Sequence, residues 1–367
     1  MTMTNEQIRI LRAQTPACDR LIHFNNAGAS LQPTPVYEAV LEHLALEQRL
    51  GGYEAAAEAQ PKIDRFYEAT AQLIGAQRDE IAAVENATRG WDMAFYAIPL
   101  SEGDRIITHR SEYASNYMAM LQLAERKGIE IDIAPSDETG QIDVDALPKL
   151  VTPKTKVLAI THAPSHNGLV NPAAEVGRIA RTHGLLYLLD ICQSAGQIDI
   201  DVGKIGCHMA SGTSRKFLRG PRGAGFLYVA EEVLEALAPP LIDLRAATWT
   251  EPQRYAFAPG AKRFETFDEH VAGRIGFAVA IDYALDIGVE AIETRNRALA
   301  SRLRQGLSEL SEVVLCDDGK TQSAIVTFEK RDEPAQALAA RLRECGVNIS
   351  VSPKTFSQLD LGDRGIE

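Results

Sequence analysis

Apolar positions change rhythm several times along the chain, and each rhythm predicts an element. Val36, Val40, Leu41 and Leu44 recur at helical spacing, as do Ile63, Phe66, Tyr67, Ala71 and Ile74, and Gly75 is placed to end the second helix. Residues 83–90 read as a strand end, a capped turn and a helix start, leading into the stripe Trp91, Phe95 and Ile98. Strands are then predicted at 105–109, 129–134, 156–161 and 185–191. They alternate with helices over 116–127 and 172–183, which Gly128 and Gly184 close. The run 185–191 is almost continuously apolar, the pattern of a strand buried on both faces. In β/α order that pattern predicts an α/β fold with a mostly parallel sheet covered by helices.

The rhythm breaks after Val229. Residues 239–260, with Pro239, Pro240, Pro252 and Pro259, read as irregular. Helices at 271–285 and 291–310 follow, then strands at 313–315 and 324–328, a helix at 334–345 and a strand at 347–351. This order predicts a smaller α+β unit. The expected division is an N-terminal arm over 1–19, a large α/β domain over 20–255 and the small domain over 256–367.

Composition narrows the function classes. The 367 residues carry a net charge of −12, which disfavours nucleic acid and anionic membrane as partners, since both need a basic face. No apolar run reaches the length of a membrane span, and the start, Met-Thr-Met-Thr-Asn-Glu, lacks the basic and apolar regions of a secretory signal. The five cysteines have no paired spacing and the eight histidines no ligand spacing, so neither a metal nor a disulfide framework is expected. A cytoplasmic protein is the expectation.

The stretch 211–225, Ser-Gly-Thr-Ser-Arg-Lys-Phe-Leu-Arg-Gly-Pro-Arg-Gly-Ala-Gly, places Lys216 among hydroxyls and guanidinium groups. A lysine so placed can condense with an aldehyde, and its neighbours suit a phosphate; a basic loop entering a strand is the alternative. Asn86-Ala87-Thr88 is either a phosphate-holding helix start or a plain N-cap. Tyr113, just past a strand, either stacks on a flat ring or belongs to core or surface. Asp190 ends the apolar run and needs a partner, which a protonated pyridine nitrogen would supply; a helix N-cap is the other reading. Gln193 could donate to a phenolate oxygen, and Ser165, His166 and Asn167 follow another strand as ring-side candidates. There is no G-x-G-x-x-G after an early strand, no P-loop, no HExxH and no G-x-S-x-G.

Several segments in order, Asn25-Asn-Ala-Gly28, Asn86-Ala-Thr88, Glu112-Tyr-Ala-Ser-Asn116, Asn171-Pro172, Asp190-Ile-Cys-Gln193, Thr213-Ser-Arg-Lys216, Gly220-Pro-Arg-Gly-Ala-Gly225 and Arg263-Phe-Glu265, carry a resemblance. With the elements around them, they resemble the class V aminotransferase family of fold-type I enzymes that use pyridoxal 5'-phosphate (PLP). That family includes cysteine desulfurases, isopenicillin N epimerase and ergothioneine-pathway C–S lyases. The resemblance implies that Lys216 is the Schiff-base lysine, that Asp190 pairs with the pyridine nitrogen and that Gln193 contacts the ring oxygen. It implies that Ala87, Thr88, Thr213 and Arg215 hold the phosphate, that Tyr113 stacks on the ring and that Ser165 lies beside it. Asn26, Ala27, His166 and Asn167 would lie near substrate. It also implies a homodimer.

Two departures matter. The stretch Ser350-Val-Ser-Pro-Lys-Thr-Phe has no cysteine where desulfurases carry their nucleophile, so persulfide transfer is not expected. The chain ends at Arg364-Gly-Ile-Glu367, before the segment whose arginine binds the substrate carboxylate in the family, so a truncated product or a substitute arginine is expected. The expected function is action at the α-carbon of an amino acid, foremost C–S lyase β-elimination, with transamination or epimerisation as alternatives. A PLP-fold protein without catalysis is a further one.

Overall fold

The computed structural model describes residues 3–366. Its strands, in chain order, are β1 (Ile22–His23), β2 (Ile81–Val84), β3 (Arg105–His109), β4 (Glu130–Ala134), β5 (Thr155–Thr161), β6 (Leu186–Asp190), β7 (Met209–Thr213), β8 (Gly225–Val229), β9 (Ala247–Glu251), β10 (Arg254–Phe257), β11 (Val313–Leu315), β12 (Phe328–Lys330) and β13 (Val347–Asn348). The helices are α1 (Asn5–Ala13), α2 (Thr34–Leu50), α3 (Gly52–Glu58), α4 (Gln60–Ile74), α5 (Ala87–Ala97), α6 (Ala114–Lys127), α7 (Leu147–Leu150), α8 (Ala173–His183), α9 (Val202–Ile205), α10 (Val271–Ile287), α11 (Val289–Ser308), α12 (Ala335–Glu344) and α13 (Gln358–Asp363).

Seven strands form the central sheet in the order β2-β8-β7-β6-β5-β3-β4. The pairings among β4, β3, β5, β6 and β7 are parallel, and β8 runs antiparallel to both β7 and β2. Tyr187, Leu188 and Leu189 of β6 are fully buried, so both faces of this central strand are covered, as its apolar run predicts. Each such side chain contributes about 1.5–3 kcal/mol relative to exposure. Helix α4 buries Ile63, Phe66, Tyr67, Ala71 and Ile74, and Gly75 ends it in the left-handed conformation at φ 70°. Helix α10 packs on α2 and α4, and its Phe277 and Ile281 join the same core as Phe264.

Three expectations change. Residues 239–260 are not irregular throughout: β9 and β10 pair as an antiparallel hairpin, with Trp249 opposite Tyr255 and both exposed. The strand expected at 324–328 shifts to β12. Side chains satisfy the preceding backbone: Gln197 accepts from the Ala324 N–H, Arg304 donates to the Ile325 carbonyl and Asp317 accepts from the Thr327 N–H. The strand expected at 347–351 is only Val347–Asn348, which pairs in parallel with β1 and ties the start of the chain to its last third. Among the described residues, no helix is long and apolar enough to cross a membrane.

Candidate active site

Parallel strands that end on one side of a sheet leave their carboxyl ends facing a common crevice, where open α/β folds bind ligands. Here the loops after β2, β3, β5, β6 and β7 converge on a cavity of about 120 Å³. Its lining includes Ala87, Thr88, Tyr113, Ser165, Asp190, Gln193, Thr213, Arg215 and Lys216. The nine residues that the sequence suggests for the cofactor thus share one cavity.

Part of the cavity lining favours an anion. Asn86 caps α5 by accepting from the Arg89 N–H at 2.9 Å, while the Ala87 and Thr88 N–H groups, in the first turn, have no acceptor within the helix. Thr213 and Arg215 add a hydroxyl and a guanidinium. The Arg215 guanidinium donates to the Gly28 carbonyl, and the Ser30 N–H donates to the Arg215 carbonyl at 2.8 Å. This arrangement holds the Asn25–Gly28 turn against the site.

Another part favours a cation. The Asp190 carboxyl is buried and accepts from the Cys192 N–H at 2.8 Å and from Asn116 Nδ2 at 2.9 Å. Burial pushes its pKa up, against the pull of the Cys192 N–H and the Lys216 charge. A buried carboxyl with no cation in contact favours a positively charged partner. Lys216, itself buried, lies with Nζ 6.0 Å from the centre of the Tyr113 ring, so an aromatic face borders the lysine. The Gln193 amide donates to the Ala27 carbonyl at 3.0 Å, and its Oε1 is buried without a partner.

The residues suggested for substrate divide. Asn26, Ala27 and His166 line a groove of about 1310 Å³ that shares Ser165 with the cavity. Asn167 lies in neither space. It is fully buried and donates to Asp318 at 3.2 Å and to Asp360 at 3.3 Å, so its polar atoms are committed to joining the strand loops to the chain's last helix. Arg219 is also a structural tie: it donates to the Leu31 carbonyl at 3.0 Å and to Thr15 Oγ1 at 2.6 Å.

Thr161 and Cys192 line the cavity without having been singled out from sequence, and Glu112 and Asn116 lie directly behind Asp190. Glu112 and Asn116 bound one of the segments that carry the resemblance, and their four-residue spacing at the entry to a helix is the signal that they meet.

A model of the aminotransferase class-V family matches residues 22–356. A probable cysteine desulfurase of Pyrococcus abyssi is 29% identical over 306 residues, which cover 82% of this chain and 76% of that protein. Another, from Xylella fastidiosa, is 32% identical over 336 residues, covering 90% of this chain and 80% of that one. The apo structure of a cysteine desulfurase from Thermococcus onnurineus NA1 superimposes with a TM-score of 0.91 at 26% identity, over 100% of this chain and 92% of its own. With the family match running from β1 past β13 and the cavity at its centre, the chain belongs to the class V aminotransferase family of PLP-dependent enzymes.

Proposed function

We propose that this chain is a PLP-dependent C–S lyase that acts at the α-carbon of cysteine or a cysteine derivative. The observation that carries the reading is that Lys216 and Asp190 line one cavity together with a helix N-terminus, a hydroxyl and a guanidinium that suit a phosphate. The residues present fit the cofactor. The α5 N-terminus, Thr88, Thr213 and Arg215 suit its phosphate, Asp190 suits the ring nitrogen, and Gln193 Nε2, which gives one proton to the Ala27 carbonyl, has a second to donate to the ring oxygen.

When bound, PLP supplies an electron sink for the pair released at the substrate α-carbon. Asp190 holds a proton at the pyridine nitrogen and so keeps that sink effective. Lys216 would hold the cofactor at its aldehyde carbon and would serve as general base for the substrate α-proton. The Tyr113 ring sets the plane of the site. With the cofactor so held, the net reaction would be β-elimination, in which a cysteine and one water give pyruvate, ammonia and hydrogen sulfide, or a thiol from a cysteine thioether. The stretch Ser350-Val-Ser-Pro-Lys-Thr-Phe supplies no cysteine to accept sulfur, and Cys345 is exposed at the end of α12, which supports release over transfer. The names of the relatives, cysteine desulfurases, support the substrate class.

The exposed aromatic side chains of the hairpin, Trp249 and Tyr255, together with Leu244 and Phe267, support a homodimer; a cytoplasmic location accords with the sequence. Incubation of the PLP-loaded chain with cysteine tests the reaction. Pyruvate and sulfide in equal amounts support the lyase. Alanine in place of pyruvate would establish desulfuration, and glutamate formed from 2-oxoglutarate would establish transamination.

A further inference from the structure

Glu112 is buried two residues before α6 and does not itself line the cavity. Its Oε1 accepts from the Tyr113 N–H at 2.9 Å, from Asn116 Nδ2 at 2.9 Å and from the Thr161 hydroxyl, and its Oε2 accepts from Thr108 Oγ1 at 3.2 Å. The same Asn116 nitrogen donates to Asp190 Oδ2 at 2.9 Å. Both protons of one amide are therefore committed to two carboxyls. Turning the amide over would set its oxygen against both of them, and Asn116 Oδ1 stays buried without a partner. No cation pairs with Glu112 among the described residues, and burial raises its pKa to about 7. A carboxyl so placed is costly to bury, and an apolar residue would fill the space at lower cost if only the fold were served.

We infer that Glu112 is a positioning residue: through Asn116 it fixes the orientation of the Asp190 carboxyl toward the cavity, and through the Tyr113 N–H it fixes the ring that borders Lys216. The inference rests on Asp190 and Tyr113 being cofactor contacts. It assigns Glu112 its role through hydrogen-bond acceptors. A glutamine should therefore replace it: the amide carbonyl can keep the three donors that converge on Oε1, while the Thr108 hydroxyl turns to accept from the new N–H.

The test is PLP binding by the full chain and by Glu112→Gln, Glu112→Ala and Asn116→Leu, followed by visible absorbance and visible circular dichroism, with the thermal midpoint of each cofactor-free protein measured alongside. Asn116→Leu and Glu112→Ala are expected to weaken PLP binding roughly ten- to a hundredfold, the loss that follows removal of a hydrogen bond to a charged group. They should also reduce the dichroism of the bound cofactor, since a planar ring takes its optical activity from a fixed setting. Glu112→Gln is expected to stay within about threefold of the unmodified chain. Binding by Asn116→Leu as tight as by the unmodified chain overturns the inference, and so does a loss of about tenfold or more in Glu112→Gln. If Glu112→Ala does not fold, those two variants decide. If the unmodified chain binds no PLP, the functional reading fails and the inference with it.

Discussion

Asp190 and Asp360 are both buried carboxyls, and the fold treats them in opposite ways. Asp360 is in contact with two arginines, Arg110 Nε at 3.2 Å and Arg364 at 3.4 Å, and with His166 Nε2 at 3.1 Å. Burial pushes its pKa up, but the His166 contact and the neighbouring charges overcome that and hold it at about 2. Among the described residues Asp190 has no such partner in contact, and burial dominates. Asp360→Asn should therefore destabilise the fold by about 1–3 kcal/mol, because Arg110 and Arg364 keep only Asp318 as a counter-charge, with the PLP site retained. Asp190→Asn should leave the thermal midpoint unchanged or raised and lower kcat roughly a hundredfold or more. Thermal melts paired with turnover assays check both. Asp190 was legible from sequence as a charge ending an apolar strand. Glu112 was not, because two of its donors, Thr108 and Thr161, come from β3 and β5, which the chain brings together only in the folded sheet.

Elements were legible where the pattern was long and its ends were marked. Helix α4 shows an unbroken buried stripe and a left-handed glycine, and β6 is apolar enough to admit one reading. The hairpin β9–β10 was hidden because its alternation is outward-facing, with Trp249 and Tyr255 exposed, and prolines around it read as breaks. The segment before β12 misleads for another reason: its backbone partners are the side chains of Gln197, Arg304 and Asp317, which periodicity cannot report. Close approach between elements is also invisible in the pattern. In α8, a β-carbon on Gly177 would lie 1.8 Å from the Ile205 carbonyl oxygen at the end of α9. Gly177→Ala should thus destabilise by about 1–3 kcal/mol or more, despite alanine's better helix propensity. Urea unfolding of the two proteins measures the difference.

For the whole molecule, the packing of α10 bears on how the chain divides. Phe264, Phe277 and Ile281 belong to the core of the central sheet, and Gly288, at φ 89°, separates α10 from α11. We propose a division at Gly288 in place of residue 255. Hydrogen exchange should then show α10 protected like the sheet, with α11 onward exchanging as a separate class. Acid stability is a second property of the whole. Burial lowers His109 and His162 from 6.5 to about 4, so as pH falls through that window the unfolded chain binds protons that the folded chain refuses, and stability is lost. Glu112, raised from 4.5 to about 7, acts in the opposite sense, because the folded chain binds its proton first as pH falls. The thermal midpoint should therefore drop between pH 6.5 and 4.5, and more steeply in Glu112→Gln. The central claim, that Lys216 is the covalent anchor for PLP in this cavity, has a direct measurement: the visible absorbance of the purified chain after PLP addition and removal of excess, beside Lys216→Ala. The unmodified chain should keep a visible band that borohydride reduction fixes to a peptide containing Lys216, and Lys216→Ala should show neither. A retained band in Lys216→Ala, or label on another lysine, would contradict the account.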